Sequence, residues 1–541
     1  MSLVPGGNNT FKVPPDPLEP PSDVIVTPYV PWPAPYYFEG GLRRVKPYHF
    51  TYKTYCKERW RGRELLEIFL DEFRDRSPEY YKHAIETGQV TVGGKVANST
   101  TKVKNGQIVS HTLHRHEPPV TGQPIGVIHE DDDMLVIDKP AGVPVHSAGR
   151  YHFNSIVEIL RAGRGYEFKP LPCNRLDRLT SGVMFIGKHP KAAEKVSVKL
   201  KERSIQKEYV ARVKGRFPDG VVLCNQPIMQ VSPKLGLNRV RATGKEARTK
   251  FRRLAYYAPP ELPEKFNALS NGNTGCLEER ATASSQLPSE DEGYSIVHCL
   301  PLTGRTHQIR VHLQFLGHPI SNDPIYSNRR VFGPDLGKND ASADRDREII
   351  SRLSVVGKTE LAEAGSYRTH FTTPPPVPPG TDPTVIEEIM SHEHGAAVVD
   401  YHKRKGEKLS GDLCEICETP LYTDPSPEEL GIFLHAVAYA DNDGDWEYRS
   451  KMPSWALPPQ GIDGPTKVPN WLEPQEGESV VINNGDGLSI SEGIKEDEMI
   501  ALVRGVGLVN IAGGKINAVN LSSPGEEQDR DVAVIAAPAI A

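Results

Sequence analysis

The stretch Asn174-Arg175-Leu176-Asp177-Arg178-Leu179-Thr180-Ser181-Gly182 sets one carboxylate between two guanidinium groups, directly ahead of a turn-prone Thr-Ser-Gly. Cationic neighbours favour the ionised carboxylate, which suits either a salt-bridged fixture or a poised nucleophile. A second stretch, Thr303-Gly304-Arg305-Thr306-His307-Gln308-Ile309-Arg310-Val311-His312, is dense in donors that suit anions. On a helix Arg305 and Arg310 would fall on different faces, so they need separate partners. A third, Lys207-Glu208-Tyr209-Val210-Ala211-Arg212, reads as a strand whose tyrosine is flanked by charge. Taken singly, each has an ordinary explanation: an ion pair, a satisfied polar helix and a surface aromatic.

Metal chemistry has weaker support. Cys414 and Cys417 in LCEICETP have the spacing of half a zinc site, which His392, His394 or His402 could complete. A lone C-x-x-C says little without a second pair, and the expectation is two reduced cysteines and no metal. Asp131-Asp132-Asp133 cannot all face one ion from a strand and reads as a solvated turn.

The elements that must position these residues fall into distinct stretches. Residues 1–40 are Pro-rich and read as a disordered leader. In WRGRELLEIFLDEFRD, over 60–75, Leu65, Leu66, Phe69 and Phe73 share one face of an amphipathic helix. A second helix, PEYYKHAIETG, ends at Gly88, and QVTVGGKV reads as a hairpin turning at Gly93-Gly94. A β-prone patch, GQIVSHTLHRHEPPV, closes this module at about residue 120. From Gly126, strands and helices mix without strict βαβ alternation, which predicts an α+β domain on a mixed, largely antiparallel sheet with flanking helices. That domain runs over 121–460, with insertions at about 259–292 and 329–410. Residues 461–541 read as an acidic, disordered tail in which VINNGDGLSI and ALVRGVGLVNI are only weakly β-like.

At 541 residues the chain is too long for one ordinary domain. Seven scattered cysteines argue against a secreted disulfide framework and for a reducing compartment. There is no apolar signal core, no transit-peptide character and no run of about eighteen apolar residues. The expectation is a soluble monomer away from membranes, in the cytoplasm, with nucleus and mitochondrion as alternatives. The net charge of -6 hides an asymmetry: Gly41 to His116 holds 15 Lys+Arg against 8 Asp+Glu, and Pro425 to the end 7 against 19. The basic module, with Arg61, Arg63 and Lys82 on its helices, points to phosphate contact.

Read together, the stretches are less ordinary. KPAGVPVH, RLDRLTSG, KEYVARVKG, GKEARTKF and LTGRTHQIRVHLQFLGHPISND, in this order over roughly 126–327, resemble the motifs of the RluA-like pseudouridine synthases. YYKHAIETGQVTVGGKV resembles the S4-like RNA-binding domain that many of them carry, here over 41–120. HRHEPPV at 114–120 together with RLDRLTSG is similar to the eukaryotic, fungal-type subgroup acting on the tRNA anticodon loop (position 32).

The resemblance implies isomerisation of uridine to pseudouridine on a pseudouridine synthase fold. It makes Asp177 the catalytic aspartate, Tyr209 the residue packing on the base, and Arg310 the partner that keeps the aspartate ionised. Arg175 would fill the gap left by a flipped-out uridine, since a planar guanidinium can stack and hydrogen-bond there. Arg61, Arg63, Lys82 and Arg305 would bind RNA, and no cofactor is implied. Position 174 is Asn where most bacterial relatives have His, so that histidine's role does not transfer. Neither half of the H-x-E and P-C-x-x-C deaminase signature found in some fungal relatives is present. The alternatives are a catalytically silent RNA-binding or assembly protein on the same fold, or a synthase acting on rRNA or mRNA. A glycosidase would need a second well-placed acid.

Overall fold

The computed structural model describes residues 32–33, 35–72, 78–233, 235–259, 293–356 and 409–471, and the short segments 480–483, 488–491, 509–512 and 515–518. Two strands, β1 (Tyr36–Glu39) and β2 (Leu42–Val45), open the described chain. β1 lies inside the stretch read as an unstructured leader. It forms because Tyr36 to Glu39 pair antiparallel with Val45 to Leu42, while the Arg43 guanidinium stacks 4.2 Å from the Tyr36 ring.

The basic module follows as β3 (Tyr48–Tyr55), α1 (Leu65–Glu72), α2 (Pro78–Glu86), β4 (Val90–Val92), β5 (Lys95–Val96) and β6 (Ile108–Arg115), with strand order β3-β6-β4-β5. α1 begins five residues later than its apolar pattern suggests. Gly62 there takes a left-handed backbone (φ 75°) and donates its N–H to Val103 instead of continuing a helix. The buried face is Leu65, Ile68 and Phe69, while Leu66 is only half-buried. It packs with Tyr81, Ala84 and Ile85 of α2 over Trp60, Val90 and Val109. Each such burial is worth about 1.5–3 kcal/mol, enough to hold a small module closed. The hairpin turns at Gly93-Gly94 as expected, both with positive φ, and Val92 pairs with Lys95.

After β7 (Val120–Thr121), which pairs with β2, one large sheet organises the rest. Its elements are β8 (Gly126–Glu130), β9 (Met134–Lys139), α3 (Ile156–Arg164), β10 (Leu171–Pro172), β11 (Ser181–Gly187), α4 (Pro190–Lys201), β12 (Ile205–Lys214) and β13 (Val221–Cys224). A small hairpin, β14 (Ile228–Ser232) and β15 (Leu237–Val240), leads to β16 (Thr249–Tyr257) and β17 (Tyr294–Pro301). Helices α5 (Gln308–Phe315), α6 (Arg329–Phe332) and α7 (Asp346–Val356) precede β18 (Leu409–Leu413), β19 (Pro420–Tyr422), β20 (Leu434–Asp441) and β21 (Glu447–Arg449). The last strands are β22 (Val480–Asn483), β23 (Leu488–Ser491), β24 (Val509–Ala512) and β25 (Lys515–Ala518).

The sheet order is β23-β22-β13-β16-β17-β12-β20-β11-β9-β8. Neighbours are antiparallel except at β11–β20 and β13–β22, so the α+β sheet is mixed and largely antiparallel. β11–β20 is the seam between two cores. One gathers β9, β11, α3 and α4, the other β12, β13, β16 and α5, and Tyr209 packs against both.

Two boundaries differ from the sequence reading. Residues 329–356 hold two helices, α6 and α7, joined by a turn-rich segment, and belong to the second core, because Val331, Phe332, Ile349 and Leu353 are fully buried there. The connecting segment and the start of α7 are tied down by the buried Arg239, which reaches the half-buried Asp340 and Asp346 at 2.7 and 2.8 Å. In the tail, VINNGDGLSI supplies β22 and β23, the former adding to the sheet edge beside β13. The rest of the 329–410 insertion, all but the edges of 259–292, and most of the tail lie outside the described residues. Among those described, no helix is long and apolar enough to cross a membrane.

Candidate active site

The Asp177 loop is fixed before Asp177 is used. It links β10 to β11, and buried Lys139 at the end of β9 points its Nζ at the carbonyls of Pro140, Arg178 and Thr180, 3.0, 3.2 and 2.8 Å away. Burial pulls this ammonium down to about 7, while the charge of Asp177 pushes back. Three acceptors are matched only by the three N–H donors of the protonated form, so we read Lys139 as charged. On the far side, Ser181 meets His435 Nδ1 at 2.8 Å, and His435 Nε2 reaches Ser450, which donates to Asp138. Gly182 (φ 115°) is needed because a methyl there would collide with the backbone of Ala436 on β20. The turn-prone Thr-Ser-Gly is the clamp of the seam.

Helix α5 brings the counter-charge. Every residue of Gln308–Phe315 is buried, so each polar side chain needs a partner. Gln308 takes Thr303 and donates to the Arg248 carbonyl, and His312 sits between Thr249 and the Gln226 carbonyl. Burial drops the His312 imidazole to about 4, so it stays neutral. Arg310 makes a two-pronged bond to Asp323 (Nε 2.6 Å, Nη2 2.9 Å) and extends Nη1 to Asp177 at 3.3 Å. Asp323 is fully buried and also accepts the N–H groups of Ile325 and Tyr326. Burial works against the Arg310 cation, but Asp323 and Asp177 together raise its pKa.

His307, just ahead of α5, adopts a left-handed backbone (φ 59°), costly for a non-glycine residue. The strain places its Nδ1 3.0 Å from the Tyr326 hydroxyl and its Nε2 3.5 Å from Asp177. Burial alone would raise the Asp177 pKa, but His307 and Arg310 outweigh it and hold the carboxyl below the usual carboxylate range. About a third of the side chain remains exposed, so an ionised oxygen faces incoming substrate.

Tyr209 reaches the same place from β12. Adjacent residues of a strand face opposite sides, so Glu208 turns to Arg449 and His298 while Tyr209 faces the seam. Opposite them β20 carries an extra residue, Val437, where the register shifts. The Tyr209 hydroxyl lies 2.8 Å from that of Tyr439, which takes a bond from Asn174 Nδ2 at 3.2 Å. Asn174 Oδ1 accepts the Phe185 N–H. Burial, then Tyr439 and Asp177, push the Tyr209 pKa well above its ordinary value. The phenol is therefore neutral.

The structure therefore brings together Asp177, Arg310 and Tyr209, and not the remaining candidates. Arg175 is exposed on the Asp177 loop, and Arg178 stacks over Tyr151. Arg305 lies before the helix, not on it, and gives its Nε to the Glu246 carbonyl. In the basic module Arg61 and Lys82 are exposed, whereas Arg63 is bonded to Glu67. A cleft of about 1440 Å³ lined by Lys139, Arg212, Asn322, Phe433 and Trp455 is not where the three residues meet.

Asp323, His307, Lys139 and Tyr439 escaped the sequence reading. The first three lie inside the quoted motifs, where a buried acid thirteen residues after Arg310 was the available signal. Tyr439, in GIFLHAVAYAD, gave none. Elsewhere, Cys414 and Cys417 lie beside His114 and His116. The histidines at 392, 394 and 402 lie outside the described residues.

The family model described as "RNA pseudouridylate synthase" matches residues 133–315. The chain is 42% identical over 430 residues to the tRNA pseudouridine(32) synthase, mitochondrial, of Saccharomyces cerevisiae, covering 77% of this chain and 78% of that protein. It is 38% identical to the mouse pseudouridylate synthase RPUSD2, covering 78% and 72%, and 29% identical to the yeast tRNA pseudouridine(31) synthase, covering 78% and 96%.

Proposed function

The chain belongs to the RluA-like family of RNA pseudouridine synthases, and from that premise we propose that it isomerises uridine in the anticodon loop of tRNA, at position 32. The observation that carries the chemistry is one carboxylate, Asp177, held ionised and part-exposed against Arg310. The choice of tRNA and position rests on the yeast relative.

In this reading the target uridine flips out of its stack and its base lies on the Tyr209 ring. Asp177 attacks at the ribose C1′ or on the base, the N1–C1′ bond breaks, the base turns, and C5 bonds to C1′ as the bond to Asp177 is released. The C5 proton leaves and N1 gains one, so no atom is lost and no oxidant or water is consumed. Arg310 is a positioning residue: Asp323 holds it in a fork, so the Asp177 carboxylate has a fixed counter-ion in a water-poor site. Tyr209 is neutral and its hydroxyl meets the equally neutral Tyr439, so in this reading it carries the base on its ring, and the carboxylate of Asp177, once released, is the acceptor available for the C5 proton. Arg175, exposed on the loop, takes the place of the flipped base. Arg61, Lys82 and Arg305 supply phosphate contacts, with Arg63 contributing less because Glu67 neutralises it.

The test is to incubate the full chain with transcribed cytosolic and mitochondrial tRNAs and map carbodiimide-reactive pseudouridine, beside Asp177→Asn. Product at position 32 that depends on Asp177 is expected. Product at no tRNA position, or product that survives the substitution, overturns the reading.

A further inference from the structure

The two histidines of HRHEPPV and the two cysteines of LCEICETP meet. His114 lies on β6 and His116 one residue past it, and a spacing of two on an extended chain sends both rings to one side. Cys414 and Cys417 sit in the turn between β18 and β19. His114 Nδ1 is 3.4 Å from both sulfurs and His116 Nε2 is 3.3 Å from Cys417 Sγ, with all four atoms within 4.8 Å of one another. We propose that these four side chains bind one zinc ion, in a structural site that fastens the RNA-binding module to the catalytic domain.

The three imidazole-to-sulfur separations match the edges of a tetrahedron. With Zn–N near 2.0–2.1 Å and Zn–S near 2.3 Å, tetrahedral geometry sets N and S about 3.5 Å apart. Two imidazoles and two thiolates are a soft, closed donor set that favours zinc over calcium or magnesium and leaves no position for a reacting water. The cysteine turn is organised around its sulfurs. The Ile416 N–H points at Cys414 Sγ (3.4 Å), Cys417 Sγ lies 3.1 Å from the Thr419 hydroxyl, and Glu418 takes a left-handed backbone (φ 52°) that closes the turn. Such outer bonds orient thiolate ligands. Both cysteines are unbridged.

The position gives the site its purpose. Glu117, next to His116, accepts the Tyr48 hydroxyl and the N–H groups of His152, Phe153 and Asn154. Past the cysteines, Asp424 makes a two-pronged bond with Arg44, and Tyr422 lies under Arg150. The chain then donates the Ile432 N–H to the Leu179 carbonyl, two residues from Asp177, and enters β20. The ion would close a loop of about 300 residues and tie the module, the 147–154 loop and the run into the seam at one point. This inference concerns assembly and stands whichever RNA the enzyme modifies.

The test uses the full chain purified without chelators. Metal analysis should find one zinc per chain in the wild type and none above background in the Cys414→Ser/Cys417→Ser double variant. Because that variant could fail to fold, a second measurement uses the wild type alone. Replacing the metal with cobalt(II) should give the visible absorption of a tetrahedral site and a thiolate-to-cobalt charge-transfer band. Wild-type protein without zinc and without that spectrum, or a Cys414–Cys417 disulfide found by mass, overturns the proposal.

Discussion

The Asp177 centre and the His114–Cys417 cluster are built alike and balanced differently. Each draws together side chains far apart in sequence, 133 residues for Asp177 and Arg310 and 303 for His114 and Cys417. At the first, the charges answer each other within the protein: two carboxylates share one guanidinium, and one of them is left part-exposed. The cluster offers two imidazoles and two sulfurs, and a zinc ion of the kind proposed would answer the charge of the two thiolates. The difference teaches that a carboxylate proposed to react keeps its counter-charge in place permanently, whereas the proposed fastening would take its charge from solution.

The largest effect expected from breaking this comparison is at the reacting carboxylate. Asp177→Asn should lower single-turnover product formation by at least about 10³-fold while leaving tRNA affinity and the melting temperature nearly unchanged. Asp323→Asn should do the opposite first. It leaves Arg310 buried with one part-exposed partner, costing about 3–5 kcal/mol in urea unfolding, and activity should fall because Arg310 swings toward Asp177. If stability is unchanged, Asp323 is not the anchor.

Stripping metal from the cluster should destabilise by about 2.7–4.1 kcal/mol relative to zinc at 100–1,000 times its dissociation constant. A thermal melt with and without zinc checks this, and the difference should vanish in the double cysteine variant. The single-turnover rate of the remaining folded protein at saturating RNA should stay within about threefold, since no ligand touches the reacting atoms. A much larger loss would place the cluster in the chemistry.

Tyr209→Phe keeps the ring and removes the bond to Tyr439, a loss of about 1 kcal/mol, so kcat should fall by no more than about tenfold. A far larger fall would make the hydroxyl a proton carrier. The smallest effect concerns pH. The carboxyls of Asp177 and Asp323 both lie below the ordinary value of about 3.9. Their stabilisation is therefore complete above that pH and lost only as pH falls through the lower folded values. Between pH 8 and 5, melting should show no loss traceable to either, and Asp323→Asn should leave the slope in that range unchanged.

Much was legible beforehand. The five motifs gave the family, and the three residues they singled out, Asp177, Tyr209 and Arg310, lie together in the fold. The Gly93-Gly94 turn and the helices of the module were readable too, since local periodicity and positive φ leave few choices. Asn174 could be recorded only as a departure from bacterial relatives, and its bridge between Phe185 and Tyr439 needed coordinates. The helices over 329–356 were misjudged because their apolar residues are sparse and the segment joining them pairs with Arg239, which no local pattern reveals.

What the sequence by itself determined was the family, through its ordered motifs, and the α+β character. These follow from residue identity and from spacing within a few turns of chain. Tertiary structure alone decided that Asp323 anchors Arg310, that Tyr209 meets Tyr439, and that the cysteines face His114 and His116. Each is a contact between distant segments, fixed by sheet order and burial, and those forces depend on the whole fold.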